Sequence, residues 1–241
     1  MAIYTSKTRI DLEDVGYSNK ITNKAILKIL ENAGARQSET IHFGLNDMEN
    51  VGFSWILLGW KVKILKRPIY NEELTINTWG RDSNRIFTYR DYEIYDESGK
   101  LCAIATSKWA IVDINTGKLR ELTPEIIEKY QCETKKVFEE DYTLKLKEPA
   151  TIIRKQEYKA QRRDIDINKH IHNLYYLDYA YEVLPEEVYE APECNNIEIM
   201  YKKQIRLNDE FKCLYTKEEN QNIVTMKSED ENTLHAIIKL Y

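Results

Sequence analysis

Residues 162–184, RRDIDINKHIHNLYYLDYAYEVL, decide the fold. The first part crowds two carboxylates, an asparagine and a histidine into Asp164–His170. The segment from Leu174 to Leu184 then repeats apolar and aromatic residues at helical spacing, and only Asp178 and Glu182 in it are charged. A helix that is apolar almost all round is usually buried. The stretch therefore predicts a central helix enclosed by its domain, with polar chemistry gathered at the start of the helix.

The order of predicted elements around this helix occurs twice in the chain. Alternating, β-branched and aromatic runs bounded by turn formers predict the strands. In the second half these runs are residues 151–162, 197–207, 210–218, 222–228 and 233–241. In the first half they are residues 3–12, 53–66, 73–79, 85–96 and 101–113, with a helix from Asn23 to Ala33 that Gly34 would end and a second helical stretch to about Asn50.

Two domains follow from this repetition. Thr123-Pro124-Glu125 is typical of a helix start, and the short helix that it predicts leads into a charged stretch up to Pro149. We predict an α+β chain with one domain over residues 1–135, including this linker helix, and a second over residues 145–241. A curved antiparallel sheet wrapped around a central helix is the hotdog arrangement, so the expectation is two tandem hotdog domains, or a double hotdog.

Composition and charge narrow the class of protein. The chain of 241 residues is 42% hydrophobic and 31% charged, which is typical of a globular protein, and its formal net charge of −5 argues against a nucleic-acid binder. Residues 145–163 are an exception, with seven Lys or Arg against two Glu. They are either a solvated strand and loop or a docking surface for an acidic partner or a phosphate.

The remaining compositional signals concern compartment and metal. The four cysteines have no metal-ligand or CxxC spacing, which favours free thiols in a reducing compartment. The first residues, MAIYTSKTRI, have no apolar signal region, and no run approaches the roughly 18 apolar residues of a membrane span. We expect a cytoplasmic protein with no membrane span, no metal and no organic cofactor.

The residues at the start of the central helix suit hydrolysis of an acyl group. That reaction needs an activated water, a proton source for the leaving group and donors for the oxyanion. His170 can move a proton near neutral pH, Asp166 can hold water or orient the histidine, and Asn168 can position water or the carbonyl. Unsatisfied N–H groups at the start of the helix could stabilise the oxyanion. The alternative is structural, since Asp and Asn often close turns and cap helices.

The motif DIDINKHIHNLYYLDYA resembles the active-site segment of acyl-acyl-carrier-protein (acyl-ACP) thioesterases, Asp-x-Asn-x-His-x-x-Asn-x-x-Tyr. Asp166, Asn168, His170, Asn173 and Tyr176 match it position by position. The contexts of two tryptophans in the first half, ILKRPIYNEELTINTW and SKWAIVDINTGKLREL, resemble the N-terminal hotdog domain of the same family, so the resemblance spans almost the whole chain.

The resemblance implies hydrolysis of fatty acyl-ACP to free fatty acid and ACP. It implies catalytic roles for Asp166, Asn168 and His170 and substrate contacts for Asn173 and Tyr176. Carrier proteins of this kind are acidic, so the basic stretch is expected to dock the partner. The residues that we assign to docking are Arg154, Lys155, Arg162 and Arg163.

The sequence departs from the family pattern in three places. Gln204, in YKKQI, occupies the position of a family glutamate, and we assign it to the catalytic group as an amide that holds water but cannot act as a base. His172 stands where the family usually has a second asparagine. In the first half, Asp14 matches the motif loosely, with Gly16 and Ser18 where Asn168 and His170 would be, which predicts a catalytically empty site.

Two other functions stay open at this level. An acyl-CoA thioesterase would use the same chemistry, and the phosphates of CoA would also suit the basic stretch. A non-catalytic acyl-binding protein could have lost activity at Gln204. Because a double hotdog already pairs two domains, either a monomer or a homodimer is compatible with the sequence.

Overall fold

The computed structural model describes residues 3–140, 145–189 and 194–241. The chain divides into two compact units, residues 1–143 and 144–241. Each unit has one antiparallel sheet and one main helix.

The described residues of the first unit form six strands and three α-helices. The strands are β1 Tyr4–Arg9, β2 Phe53–Ile64, β3 Glu73–Ser83, β4 Thr88–Tyr95, β5 Leu101–Asp113 and β6 Leu119–Arg120; the helices are α1 Asn23–Thr40, α2 Met48–Val51 and α3 Pro124–Tyr130. Within this unit the strands are hydrogen-bonded in the order β1-β3-β4-β5-β2, and β6 pairs with β5. The main helix α1 packs against β1 and β3.

The second unit repeats this arrangement. Its strands are β7 Arg154–Lys159, β8 Asn196–Tyr201, β9 Glu210–Glu218, β10 Gln221–Ser228 and β11 Leu234–Leu240; its helices are α4 Tyr175–Val183 and α5 Glu186–Tyr189. The strand order β7-β9-β10-β11-β8 is that of the first unit, strand for strand. The predicted central helix is α4, which packs against β7, β9 and β11 and buries Tyr176, Leu177, Ala180 and Val183.

The first helix is longer than the sequence predicts. Gly34 does not end α1, which continues to Thr40 and buries Gly34 in its interior. A Cβ atom at this position would lie 3.0 Å from the Tyr92 hydroxyl and 3.2 Å from Cδ of Arg90. The glycine is therefore needed for close packing of the helix on the sheet, and it does not act as a stop signal. The second helical stretch is reduced to a 3-10 turn, Leu45–Asp47, and the short α2.

The charged stretch after α3 begins with a segment that is anchored on the first unit. We call residues 133–137 the strap. The indole Nε1 of Trp79 donates to the Lys135 carbonyl at 2.9 Å, and the Val137 N–H donates to Oδ2 of Asp91 at 3.0 Å. Asp91 is fully buried, and burial raises the pKa of its carboxyl group. The strap thus supplies hydrogen bonds to buried polar groups of the sheet.

Candidate active site

The motif folds as a tight loop, residues 165–171, which we call the motif loop. Its ends pair through an antiparallel bridge between Ile165 and Ile171. Inside it, the Asp166 N–H donates to the His170 carbonyl at 2.9 Å, and the Lys169 N–H donates to the Asp166 carbonyl at 3.0 Å. Lys169 has φ of 64°, in the left-handed region that non-glycine residues rarely adopt. These contacts place Asp166, Asn168 and His170 on one short loop.

The carboxylate of Asp166 accepts hydrogen bonds from its own loop. Its Oδ1 accepts from the Asn168 N–H at 2.8 Å and from the His170 N–H at 3.4 Å, and the Asn168 side-chain amide lies 3.4 Å from Oδ2. This is the Asx-turn geometry of the structural alternative. Asp166 therefore acts on His170 through its charge and through the loop backbone, because no hydrogen bond joins the two side chains among the described residues.

His170 has the properties of a neutral imidazole held between charges. The ring is half-buried, and its Nδ1 is buried without a hydrogen-bond partner in the described part of the chain. Burial lowers its pKa most, and the cation of Arg206 lowers it further, while Asp166 and Asp209 raise it. The imidazole is therefore mostly unprotonated at neutral pH and can accept a proton.

A second segment, residues 202–206, lies against the motif loop; we call it the Gln204 segment. The Ile171 N–H donates to the Ile205 carbonyl at 2.8 Å, and His170 forms an antiparallel bridge with Arg206. Strand β8 ends at Tyr201, so Gln204 does not lie in the strand that the sequence predicts over residues 197–207. The structure brings the backbone of Gln204 beside the motif loop and leaves its side chain exposed.

His172, to which the sequence analysis assigns no role, accepts hydrogen bonds at the start of α4. Its Nδ1 accepts from the Leu174 N–H at 3.3 Å, and its carbonyl accepts from the Tyr175 N–H at 2.9 Å. These two N–H groups are therefore not unsatisfied donors, contrary to the expectation from the sequence. An oxyanion would need other donors.

Asn173 and Tyr176, the predicted substrate contacts, take part in the packing around α4. The Asn173 carbonyl accepts from the Tyr201 hydroxyl at 3.1 Å. The rings of Tyr176 and Tyr201 meet edge to face at 5.3 Å. Tyr176 is only 3% exposed, burial raises the pKa of its phenol, and the hydroxyl interacts with the backbone of Ile205. The Tyr176 hydroxyl therefore lies close to the backbone of the Gln204 segment.

Asp164 is a structural residue that sequence reasoning missed. It is buried, with only 4% of its surface exposed. Its Oδ2 accepts from the Tyr179 hydroxyl at 2.6 Å and from the Gln161 N–H at 2.7 Å. Its position at the end of the 3-10 turn Arg162–Asp164, directly before the motif loop, is the signal that could have identified it.

The first unit contains the same loop with different side chains. The Gly16 N–H donates to the Lys20 carbonyl at 3.0 Å, and Val15 and Ile21 form a bridge, as Ile165 and Ile171 do in the motif loop. The structure therefore corrects the alignment of the two halves: Asp14 corresponds to Asp164. The residues in the places of Asp166, Asn168 and His170 are Gly16, Ser18 and Lys20. This loop has neither the carboxylate nor the imidazole.

The first-unit counterpart of Gln204 is Arg67. The Ile21 N–H donates to the Pro68 carbonyl at 2.9 Å, as the Ile171 N–H does to the carbonyl of Ile205. The Arg67 guanidinium donates to the Ile21 carbonyl at 2.9 Å and to Oδ1 of Asn23 at 2.7 Å. A fixed cation thus occupies the position where the second unit has an exposed amide.

The four predicted docking residues differ in how far their side chains are already engaged in contacts within the protein. Arg154 donates to the Leu184 carbonyl at 2.9 Å, and Lys155 is paired with Glu231 at 2.5 Å. Arg162 and Arg163 are exposed on the turn just before the motif loop, and the only ion pair that the described residues give Arg163 is a long contact of 3.8 Å with Asp164. The structure thus brings Arg162 and Arg163 next to the motif loop and uses Arg154 and Lys155 in the fold.

Two further properties concern metals and membranes. Residues 3–140, 145–189 and 194–241 contain no group of three or more His, Cys, Asp or Glu side chains that could hold a metal ion. In the same ranges, no helix has the length and apolar character needed to span a membrane.

Comparison with solved structures identifies both units as hotdog folds. An acyl-ACP thioesterase from Bacteroides thetaiotaomicron superposes with a TM-score of 0.87 at 22% identity, covering 99% of this chain and 97% of that one. A 12:0-ACP thioesterase from Umbellularia californica superposes with a TM-score of 0.85 at 16% identity, covering 100% and 96%. The predicted α+β fold of two tandem hotdog domains is confirmed.

The chain belongs to the acyl-ACP thioesterase family. The family model of the N-terminal domain matches residues 1–130, and that of the C-terminal domain matches residues 147–239. A curated relative, oleoyl-acyl carrier protein thioesterase 2 of Arabidopsis thaliana, a chloroplastic protein, is 24% identical over 238 residues. The match covers 92% of this chain and 65% of the relative, so the chain spans just under two thirds of that protein's length.

Proposed function

We propose that this protein hydrolyses the thioester of fatty acyl-ACP and releases free fatty acid and ACP. The observation that carries the proposal is the half-buried imidazole of His170, whose pKa is lowered and which shares one loop with Asp166 and Asn168. Membership of the acyl-ACP thioesterase family supports the substrate class.

In the proposed mechanism His170 is the general base. It takes a proton from a water molecule as the oxygen attacks the thioester carbonyl, and the tetrahedral intermediate then expels the thiolate of the carrier. The proton passes from His170 to this thiolate, so that water and thioester become carboxylic acid and thiol. The charge of Asp166 raises the pKa of His170 and so stabilises the imidazolium that forms in between.

The other predicted site residues position the reactants in this proposal. Asn168 and Gln204 hold the water or the carbonyl through their amides. Asn173 and Tyr176 contribute to the wall that the acyl chain lies against, Tyr176 through its ring because its hydroxyl is engaged by the Ile205 backbone. The first unit, with Gly16, Ser18 and Lys20 in the corresponding loop, takes no part in proton transfer.

We propose that the acidic carrier docks on the basic stretch. Arg162 and Arg163 make the main contribution, because they are exposed beside the motif loop, whereas Arg154 and Lys155 contribute to the potential from positions that are already paired. A cytoplasmic location is proposed from the four cysteines, all of which are free thiols. The active form is a monomer or a homodimer.

The test is a hydrolysis assay on a panel of substrates. The purified protein is incubated with acyl-ACPs of short, medium and long chain and with the matching acyl-CoAs, and released thiol is measured. Turnover with a higher kcat/KM for acyl-ACP is the expected result. A higher kcat/KM for acyl-CoA would show that the substrate is the CoA thioester and not the carrier-protein thioester. Tight acyl-ACP binding without turnover would show the non-catalytic alternative and would contradict the proposed reaction.

A further inference from the structure

We propose that His235 is a positioning residue that holds the Gln204 segment, residues 202–206, in place beside the motif loop. The proposal rests on the proposed function, because it assigns the work of this residue to the same reaction. His235 lies on β11, outside the family motif.

The contacts of His235 fix the first residues of the segment. The side chain is 5% exposed, and its Nδ1 lies 2.8 Å from the Lys203 carbonyl oxygen. A carbonyl can only accept, so Nδ1 carries the proton. The His235 carbonyl accepts from the Lys202 N–H at 2.8 Å, and the Leu234 carbonyl accepts from the Lys203 N–H at 3.3 Å. Backbone and imidazole together hold residues 202 and 203.

The other end of the segment reaches the proposed reacting groups. Ile205 accepts from the Ile171 N–H at 2.8 Å and contacts the Tyr176 hydroxyl through its backbone, and Arg206 is bridged to His170. Gln204 thus lies between a point fixed by His235 and a point fixed by the motif loop. Without the imidazole contact, the first point would be held only by the backbone hydrogen bonds of residues 202 and 203.

The imidazole is specific to the second unit. In the first unit the corresponding residue is Cys102, whose carbonyl accepts from the N–H groups of Leu65 and Lys66 at 2.7 and 3.1 Å. The backbone contacts are therefore made without an imidazole, and Arg67 is fixed by its own side chain. The second unit therefore has a side-chain contact from β11 to the Gln204 segment, and this is the unit whose segment carries an exposed amide.

His235 is suited to this task because it stays neutral. Burial lowers its pKa most, and the neighbouring cation of Lys203 also lowers it, while hydrogen bonding to the backbone of Lys203 and Gln204 and the charge of Asp209 raise it. The neutral ring keeps its proton on Nδ1 for the carbonyl and adds no second charge near His170.

Two matched variants test the proposal. In His235→Asn the amide nitrogen takes the place of Nδ1 and can still donate to Lys203, whereas His235→Leu has nearly the same shape without the donor. We expect His235→Leu to lower kcat about 100-fold with little change in KM, as for a misplacement of catalytic groups by about 1 Å. His235→Asn should stay within a few-fold of the parent.

A second readout does not depend on activity. Amide hydrogen exchange at Ile205, followed on the protein alone, should be faster in His235→Leu and close to the parent in His235→Asn. In a Gln204→Ala background, His235→Leu should cost much less in kcat, because the group that it positions is already gone. Unchanged exchange at Ile205 in His235→Leu, equal loss in both His235 variants, or full loss in the Gln204→Ala background would overturn the proposal. If the parent protein does not hydrolyse acyl-ACP, the proposed function fails, and the exchange measurement still decides whether His235 holds the segment.

Discussion

The imidazole of His170 is held between Arg206 and two carboxylates, so its proton affinity depends on charges outside the motif. Arg206 lowers its pKa, while Asp209 and Asp166 raise it. If neutral His170 is the general base, the acidic limb of the pH–rate profile reports this pKa. Removing the charge of Arg206 or that of Asp209, two exposed neighbours, should then shift this pKa in opposite directions.

We expect Arg206→Gln and Asp209→Asn to move the acidic limb of kcat/KM in opposite directions. Loss of the Arg206 cation removes a repulsion from imidazolium, so the pKa of His170 rises and activity is lost at a higher pH. Loss of the Asp209 anion has the reverse effect, and asparagine can still accept the Arg206 N–H, now at 2.8 Å from Oδ2. The measurement is kcat/KM against pH, with Lys202→Gln as a control that should leave the limb in place. Shifts of the same sign would exclude His170 as the titrating base.

The simplest residue-scale prediction concerns His170 itself. His170→Ala should lower turnover by roughly two to four orders of magnitude, the usual contribution of general acid–base catalysis. Circular dichroism and the urea midpoint establish that the variant is folded. A folded alanine variant that keeps the parent rate would contradict the assignment of the base.

At the residue scale, the sequence predicts which candidate residues lie together better than it predicts their environment. Asp166, Asn168 and His170 could be named from their spacing, because they lie within one loop. The hydrogen bonds of Asp166 to its own loop and the effect of Arg206 on His170 could not, since they depend on loop geometry and on a segment far along the chain. Gln204 is placed in a strand by its apolar neighbours, but β8 ends at Tyr201.

At the scale of elements, α1 shows a glycine used for close approach. Tyr92 is fully buried and packs against Trp60 at 5.3 Å, so it cannot easily move away from a Cβ atom at residue 34. Helix propensity alone would favour alanine at residue 34, whereas the packing against the sheet requires glycine. Glycine costs about 1 kcal/mol relative to alanine inside a helix.

We expect Gly34→Ala to lower the free energy of unfolding by about 1 kcal/mol, because overpacking against Tyr92 and Arg90 outweighs the gain in helix propensity. Asn32→Ala, at an exposed position of α1, is the control and should stabilise by roughly 0.5 kcal/mol. Urea denaturation of both variants decides the matter. A stabilised Gly34→Ala would show that the sheet yields to the added methyl group.

Element boundaries were predictable where turn formers enclose a run and not where packing decides. Strands β5 and β9 begin and end at the predicted residues, Leu101–Asp113 and Glu210–Glu218. The end of α1 was wrong because the reason for Gly34 lies in the side chains of β4, which a local pattern does not contain.

At the scale of the whole molecule, the two units have the same order of elements and differ in the charged side chains of their corresponding loops. The first unit has Ser18 and Lys20 where the second has Asn168 and His170, and residues 12 and 13 are Leu and Glu where the second has Arg162 and Arg163. The sequence predicts the repetition but misaligns the two loops by two residues, because only the backbone bridges reveal the correspondence.

Reversing Arg162 and Arg163 to Glu should lower kcat/KM for acyl-ACP about tenfold at low salt, with little effect on a small thioester, because electrostatic steering acts on the charged carrier. The matched control is Lys145→Glu with Lys147→Glu, which makes the same change in charge within the basic stretch at exposed positions outside the turn. Kinetics at several salt concentrations measure the effect. Equal losses in both double variants would mean that net charge matters and this turn does not.

The pairing of β7 with β9 affects the order in which the two units can fold during synthesis on the ribosome. The strands β1 to β6 that pair with one another, and the strap, have been synthesised by residue 137. Strand β7, Arg154–Lys159, must wait for Glu210–Glu218, and the motif loop must wait for Ile205 and Arg206. Domains generally fold as units during synthesis, the N-terminal one first. The nascent chain would therefore carry the paired strands of the first unit before His170 acquires its surroundings, so that the proposed hydrolytic activity would arise only when nearly all of this sequence has been translated.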